Sequence, residues 1–240
     1  MTVQNEPAIG FNNWYGNNMG FTAKMESDFL KVDLGPLLEK NGWTPKNFSI
    51  MIMDFNRDNL PNWPDTALND PGAALYVAGI AVHWYVNSQP KFGIDRVDET
   101  RKRHPDRFLL ATEACEADWG SQGTHIALGR WHFGETYAHG IIKDLNHYFT
   151  GWIDWNMVLD MTGGPIWGGH SHSASAPIIV NHNAKEYYKN PMYYAMGHFS
   201  KFLPPDSQRI EITPHVDTKQ AENNEGIQAT AFQRPDGGYV

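Results

Sequence analysis

Four short apolar runs, each closing on a polar or aromatic residue, limit most strongly what this chain can fold into. Residues 48–53 run to Asp54, and 77–82 run to His83-Trp84-Tyr85. Residues 108–112 run to Glu113, and the more polar 151–155 run to Asn156. Continuous apolar runs suit strands buried on both faces. Positions 54, 85, 113 and 156 lie 31, 28 and 43 residues apart, which fits βαβ units of about 30 residues or more. The pattern predicts consecutive parallel strands of one α/β sheet. Open α/β sheets and barrels carry their sites at the C-terminal ends of such strands.

Helical patterns fill the intervals. Met25, Phe29 and Val32 form an i, i+4, i+7 stripe that Gly35-Pro36 interrupts or kinks. Residues 94–103 read as a short exposed helix. Residues 133–148 read as a helix with Tyr137, Ile141, Leu145 and Tyr148 in the core, and 192–202 as a last helix stopped by Pro204-Pro205. Beyond Pro205 the pattern turns to strands. Residues 208–213 alternate, 229–233 follow a polar loop at 217–226, and a turn at 235–238 leads to Tyr239-Val240. A β-domain starts there.

Composition removes several function classes. The 240 residues are 41% hydrophobic and 19% charged, as in a globular chain. The net charge is −8 and no basic run exists, which argues against nucleic-acid binding. Protonating all eleven histidines would carry the charge to +3, so an acidic compartment is compatible. No apolar stretch reaches the roughly 18 residues of a membrane span. One cysteine, Cys115, permits neither an internal disulfide nor a two-cysteine metal site. His170-Ser171-His172 has the spacing of a metal pair, but no cysteine stands nearby and the loop is rich in Ser, Gly and Ala. No metal ligand is assigned.

Two glutamates stand in informative settings. Glu113 ends an apolar strand in Thr112-Glu113-Ala114-Cys115, and Glu6 lies in Asn5-Glu6-Pro7. Carboxylates facing each other across a barrel mouth suit glycoside hydrolysis. One protonates the leaving oxygen, and the other attacks the anomeric carbon when the pair is about 5 Å apart. The bland alternative is a strand-end salt bridge or helix cap.

The order of motifs narrows the choice. Asn5-Glu6-Pro7, His83-Trp84-Tyr85, residues 112–115, residues 151–156, Gly163-Gly164-Pro165, residues 177–180 and residues 197–202 succeed one another from end to end. Together they resemble the glucosylceramidases of glycoside hydrolase family 30. The resemblance implies the C-terminal half of a (β/α)8 TIM barrel, strands 4 to 8, over residues 1–205. The beginning of an all-β sandwich domain would occupy 206–240. On this reading the chain is a piece of an enzyme about twice as long, with open sheet edges that make it unstable alone.

The resemblance also implies a retaining β-glucosidase that converts glucosylceramide to glucose and ceramide. Glu113 would be the nucleophile and Glu6 the acid/base, with no metal or organic cofactor. Asn5 would bind the sugar 2-hydroxyl and Tyr85 would contact the nucleophile. Tyr15 and Trp155 would wall the glucose site, with His83, Trp84 and Asn156 beside them. The implied partners are membranes holding glucosylceramide, a lipid-presenting activator protein and anionic lipid. The implied location is the lysosome or outside the cell. The loop 168–176 and Asn17 depart from the family pattern, which bears on lipid contacts more than on chemistry. Two alternatives stay open: a catalytically inactive fragment that binds glycolipid or a partner, and a β-xylosidase or β-1,6-glucanase of the same family.

Overall fold

The computed structural model describes residues 1–12, 18–86, 93–117, 126–165, 174–212 and 227–240. They form two compact units, one of Met1–Ala114 with His147–Ile153, the other of Cys115–Asn146 with Asp154–Val240.

The first unit holds the expected parallel sheet. Its strands are β1 (Ile50–Asn56), β2 (Val77–His83), β3 (Phe108–Glu113) and, after the second unit's short β4 (Glu116–Ala117), β5 (Phe149–Trp152). They pair in the order β1-β2-β3-β5, and every pairing is parallel. Ile52, Met53, Ile80 and Leu109 are enclosed in the core between the sheet and its helices. The N-terminal segment runs beside β1. Thr2 makes a parallel bridge with Met51, and the Glu6 N–H donates to the Asp54 carbonyl at 3.0 Å. Register brings the strand ends level, with His83 opposite both Asn56 and Glu113.

The helices of this unit are α1 (Ala23–Phe29), α2 (Gly35–Lys40), α3 (Asn62–Leu68), α4 (Pro71–Ala74) and α5 (Asp95–Arg103). Two helical expectations fail. Met25 and Val32 are exposed, and the buried face of α1 is Ala23, Glu26 and Ser27, followed by Leu30. Glu26 and Ser27 take two of these four interior positions, so hydropathy alone selects the wrong face. Gly35-Pro36 does not break the helix either. A π-helical turn over Leu30–Leu34 joins α1 to α2, and Pro36 sits in the first turn of α2. Gly35 is required there, since a Cβ would lie 2.4 Å from the Tyr76 ring.

The fourth strand is also displaced. It ends at Trp152, and beyond it the Asp154 carboxylate accepts the Asn156 N–H at 2.9 Å in a turn.

In the second unit, α6 (Trp131–Asn146) buries Tyr137 and Ile141 as expected. Tyr148 lies outside the helix and is exposed, so it does not belong to the core stripe. β6 (Val158–Asp160) pairs with β8 (Ile178–Asn181), which pairs with β9 (Glu186–Lys189), and β4 pairs with β7 (Ala174–Ser175). After α7 (Pro191–Ser200), β10 (Gln208–Ile210) and β11 (Ala231–Gln233) form an antiparallel pair. Tyr239 bridges back to Gln233 across a turn in which Gly237 has φ +83°. No described helix is long and apolar enough to cross a membrane.

Candidate active site

Every polar strand end of the first unit's opening segment, β1, β2 and β3 reaches one charged cluster. Glu6 follows the N-terminal segment in a left-handed conformation, φ +46°, that starts a short 3-10 turn at Pro7. Asp54 sits in a kink of β1, where Met53 has φ +74° and Asp54 has φ +46°. The register with β2 shifts at this point, as at a β-bulge, a device that re-aims a side chain. His83 and Glu113 end β2 and β3.

His83 is the hub. Its Nδ1 lies 3.2 Å from a Glu6 oxygen and its Nε2 lies 3.1 Å from an Asp54 oxygen. The Glu113 carboxylate is 3.8 Å from the same Nε2. Asp54, as an ionised carboxylate, can only accept, so Nε2 donates to it, and Nδ1 is placed to donate to the Glu6 oxygen. Burial alone pulls the imidazolium down. The hydrogen bonds to Asp54 and Glu6, with the charges of Glu113 and Asp54, overcome that pull and raise it to about 9. The ring is therefore a cation at neutral and acid pH.

The carboxylates respond in kind. Burial raises Asp54, but the hydrogen bond and charge of His83, helped by Thr2 and Thr112, bring it below its ordinary value. Thr112 Oγ1 donates to it at 2.7 Å. Burial pushes Glu113 above its ordinary value, against the His83 charge and a Tyr85 hydrogen bond. Tyr85 Oη donates to Glu113 at 2.8 Å, and the Tyr85 backbone N–H is held by Asn56 Oδ1 at 3.1 Å.

One ligand-type atom each from Glu6, His83 and Glu113 falls within 4.8 Å of the others. Three such donors would suit a metal ion in principle. Here His83 has both nitrogens committed to carboxylates and no lone pair to offer. The imidazolium occupies the electrostatic place of a cation.

The remaining expected site residues are less centrally placed. Asn5 is exposed beside Glu6. Trp84 is buried and packs edge-on against Trp152, with ring centroids 5.8 Å apart. His83, at the hub, is 1% exposed and faces the carboxylates and the Tyr85 ring. Trp155 and Asn156 are partly buried residues of the second unit. Tyr15, the His170/His172 pair and Asn17 lie outside the described residues. Asp54, Thr112 and Asn56 belong to the cluster and have no site assignment from sequence. For Asp54 a signal existed, since it closes an apolar strand just as Glu113 does.

Comparison with known proteins agrees with the resemblance. The Glycosyl hydrolase family 30 TIM-barrel domain matches residues 1–203. The chain is 46% identical to the Caenorhabditis elegans protein named "Putative glucosylceramidase 3", over 88% of this chain and 39% of that protein. It is 37% identical to mouse lysosomal acid glucosylceramidase, over 100% of this chain and 44% of that one. Among solved structures, an endo-β1,6-glucanase superposes with a TM-score of 0.80 at 26% identity, covering 99% of this chain and 49% of that chain. The chain thus spans about two fifths of the length of these two curated relatives.

Proposed function

The chain belongs to glycoside hydrolase family 30, and from that premise we propose that it carries the carboxylate pair of a retaining β-glucosidase. The proposed reaction is hydrolysis of glucosylceramide to glucose and ceramide. One observation supports the mechanism: one carboxyl oxygen of Glu6 and one of Glu113 lie within 4.8 Å of each other, a close approach of the kind a directly attacking pair needs. Retaining enzymes hold their two carboxyls about 5–5.5 Å apart, whereas inverting enzymes leave about 6.5–9.5 Å for a water.

In this reading Glu113 attacks the anomeric carbon as Glu6 gives its proton to the departing ceramide oxygen. Glu6 then takes a proton from water, the water oxygen bonds the anomeric carbon, and the Glu113 carboxylate is released with glucose. The His83 cation and the Tyr85 hydroxyl oppose the burial that would protonate Glu113. Once the glycosyl bond consumes the charge of Glu113, the imidazolium still faces the Glu6 carboxyl at 3.2 Å. It is in place for the negative charge that Glu6 acquires. Asn5, Tyr15, Trp84, Trp155 and Asn156 are assigned to glucose binding.

The same reading divides the chain into a barrel portion through residue 205 and the opening of a β-sandwich from 206. The end of the family match at residue 203 supports that boundary. It also assigns the whole protein to a lysosomal or extracellular membrane surface, with anionic lipid and a lipid-presenting activator as partners. The name of the mouse relative supports the lysosomal part of this reading. A second reading, cleavage of β-1,6-glucan, draws support from the superposed glucanase.

The test is hydrolysis of a fluorogenic β-glucoside and of glucosylceramide by the whole protein, with and without Glu113→Gln. Loss of at least about 10³-fold in the variant is expected, as for removal of a nucleophile. Turnover like wild type would sink the assignment. A panel of β-glucosides, β-xylosides and β-1,6-glucan separates the branches.

A further inference from the structure

Glu26 has no part in the reaction just described, yet it is a fully buried carboxyl. Burying such a group is costly unless its hydrogen bonds are made. Its Oε2 accepts from Trp63 Nε1 at 2.6 Å, and both carboxyl oxygens lie 3.3 Å from the Met53 backbone nitrogen. These partners stand 27 and 37 residues further along the chain. Glu26 therefore ties α1 to α3 and to the kink in β1.

That kink is costly to hold. Met53 and Asp54 both adopt positive φ, a region that residues other than glycine rarely occupy and that costs about 1–3 kcal/mol per residue unless the surroundings enforce it. Three contacts of the cluster depend on it. The Asp54 carbonyl accepts the Glu6 N–H at 3.0 Å. The Asp54 carboxylate accepts His83 Nε2 at 3.1 Å and Thr112 Oγ1 at 2.7 Å. One left-handed pair thus places the backbone of Glu6 and the ring that links Glu6 to Glu113.

We infer that Glu26 is a positioning residue for this hydrolysis: by accepting the Met53 and Trp63 N–H groups it fixes the left-handed Met53–Asp54 pair, and through Asp54 it sets where Glu6 and His83 stand. The inference rests on the carboxylate-pair reading. An apolar side chain would fill the same volume but would leave two buried donors unsatisfied. Burial raises the Glu26 acid to about 7, against the Trp63 and Met53 hydrogen bonds. An uncharged carboxyl keeps an acceptor oxygen, so the anchor survives at acid pH.

The experiment compares kcat and KM of the whole protein on a fluorogenic β-glucoside for wild type, Glu26→Gln and Glu26→Met. Glu113→Gln serves as the reference. An active wild type and a silent Glu113→Gln establish the carboxylate pair independently of Glu26. Activity retained by Glu113→Gln overturns that reading and this inference with it. Glu26→Met should then lose about 100-fold in kcat, the scale of a misplaced catalytic group, with KM nearly unchanged. Glu26→Gln keeps an oxygen that can accept from both donors and should recover most of that loss. Wild-type turnover in folded Glu26→Met, equal losses in both variants, or an effect confined to KM overturns the positioning role. Should Glu26→Met not fold, Trp63→Phe decides. A loss of about tenfold in kcat alone supports the anchor, and full activity overturns it.

Discussion

Asp54 and Glu26 are both buried carboxyls fastened to the same kink in β1, and their acidities move in opposite directions. Asp54 is held below its ordinary value and Glu26 is pushed up to about 7. Burial raises both, and both accept hydrogen bonds. The difference is the kind of donor. Asp54 faces the His83 imidazolium, while Glu26 faces the neutral N–H groups of Trp63 and Met53. Hydrogen bonds to charged partners are roughly twice as strong as neutral ones. A cation keeps a buried acid ionised, and neutral donors only moderate the drive to protonate it. The cluster at the strand ends can thus keep negative charge for chemistry, and the helix pocket behind it serves to hold geometry.

Removing the cation is the severest trial of that contrast. His83→Gln leaves Glu6, Asp54 and Glu113 around a neutral amide. Breaking a buried charge network in this way costs about 3–5 kcal/mol, read by urea unfolding near pH 6, and hydrolysis should fall with it. The pH dependence identifies the cause. The folded pKa of His83 is raised from 6.5 to about 9, so its stabilisation is complete below about 6.5 and is lost as pH rises through 9. Wild-type stability should carry a decline across that window, and the variant should lack it. An undiminished decline in His83→Gln would show that the cation is not what distinguishes the two acids.

The complementary trial is stability of Glu26→Gln. Below the ordinary glutamate value of 4.5, Glu26 is protonated whether folded or unfolded, and its ionisation costs nothing. Between 4.5 and about 7 the unfolded chain ionises first, and above about 7 the full cost is present. The glutamine variant should therefore match wild type at pH 4.5. It should be more stable at pH 8, by an amount on the order of 3 kcal/mol, seen as a rise in Tm confined to the higher pH. An equal gain at both values would mean that the neutral donors solvate the carboxylate adequately.

The same pair of acids shows what the sequence makes legible. Asp54 and Glu113 close apolar runs at βαβ spacing, so their meeting follows from parallel register alone. Tyr85, two residues past the end of β2, falls into the same ring of strand ends. Glu26 could not be found this way. Hydrophobic periodicity over α1 and the π-helical turn after it selects Met25 and Val32, which are exposed, because it detects apolar burial. The inward contact of this helix is a carboxyl satisfied by donors far along the chain. The fourth strand shifted for a related reason. Trp152, Ile153 and Trp155 favour a strand by composition, but the Asp154 side chain captures the Asn156 N–H and turns the backbone after Trp152. Local side-chain competition with the ladder leaves no mark on an apolar pattern.

A smaller perturbation sharpens the comparison within the cluster itself, since Glu113 lies between the two extremes. It has the His83 charge at 3.8 Å and one neutral donor, the Tyr85 hydroxyl at 2.8 Å, and burial still holds its pKa above the ordinary value. Tyr85→Phe removes the donor and leaves the cation. Glu113 should then rise further, and the acid limb of kcat/KM should move to higher pH. On the proposed assignment of Glu113 as nucleophile, that limb follows its ionisation in the free enzyme. Near the pH optimum, activity should fall roughly tenfold, the scale of one hydrogen bond to a charged group. The backbone N–H of residue 85 still donates to Asn56 Oδ1, so the segment remains fastened and Tm should change little. An acid limb that stays in place would mean that the His83 charge alone sets the ionisation of Glu113. The neutral donor would then count for even less here than it does at Glu26.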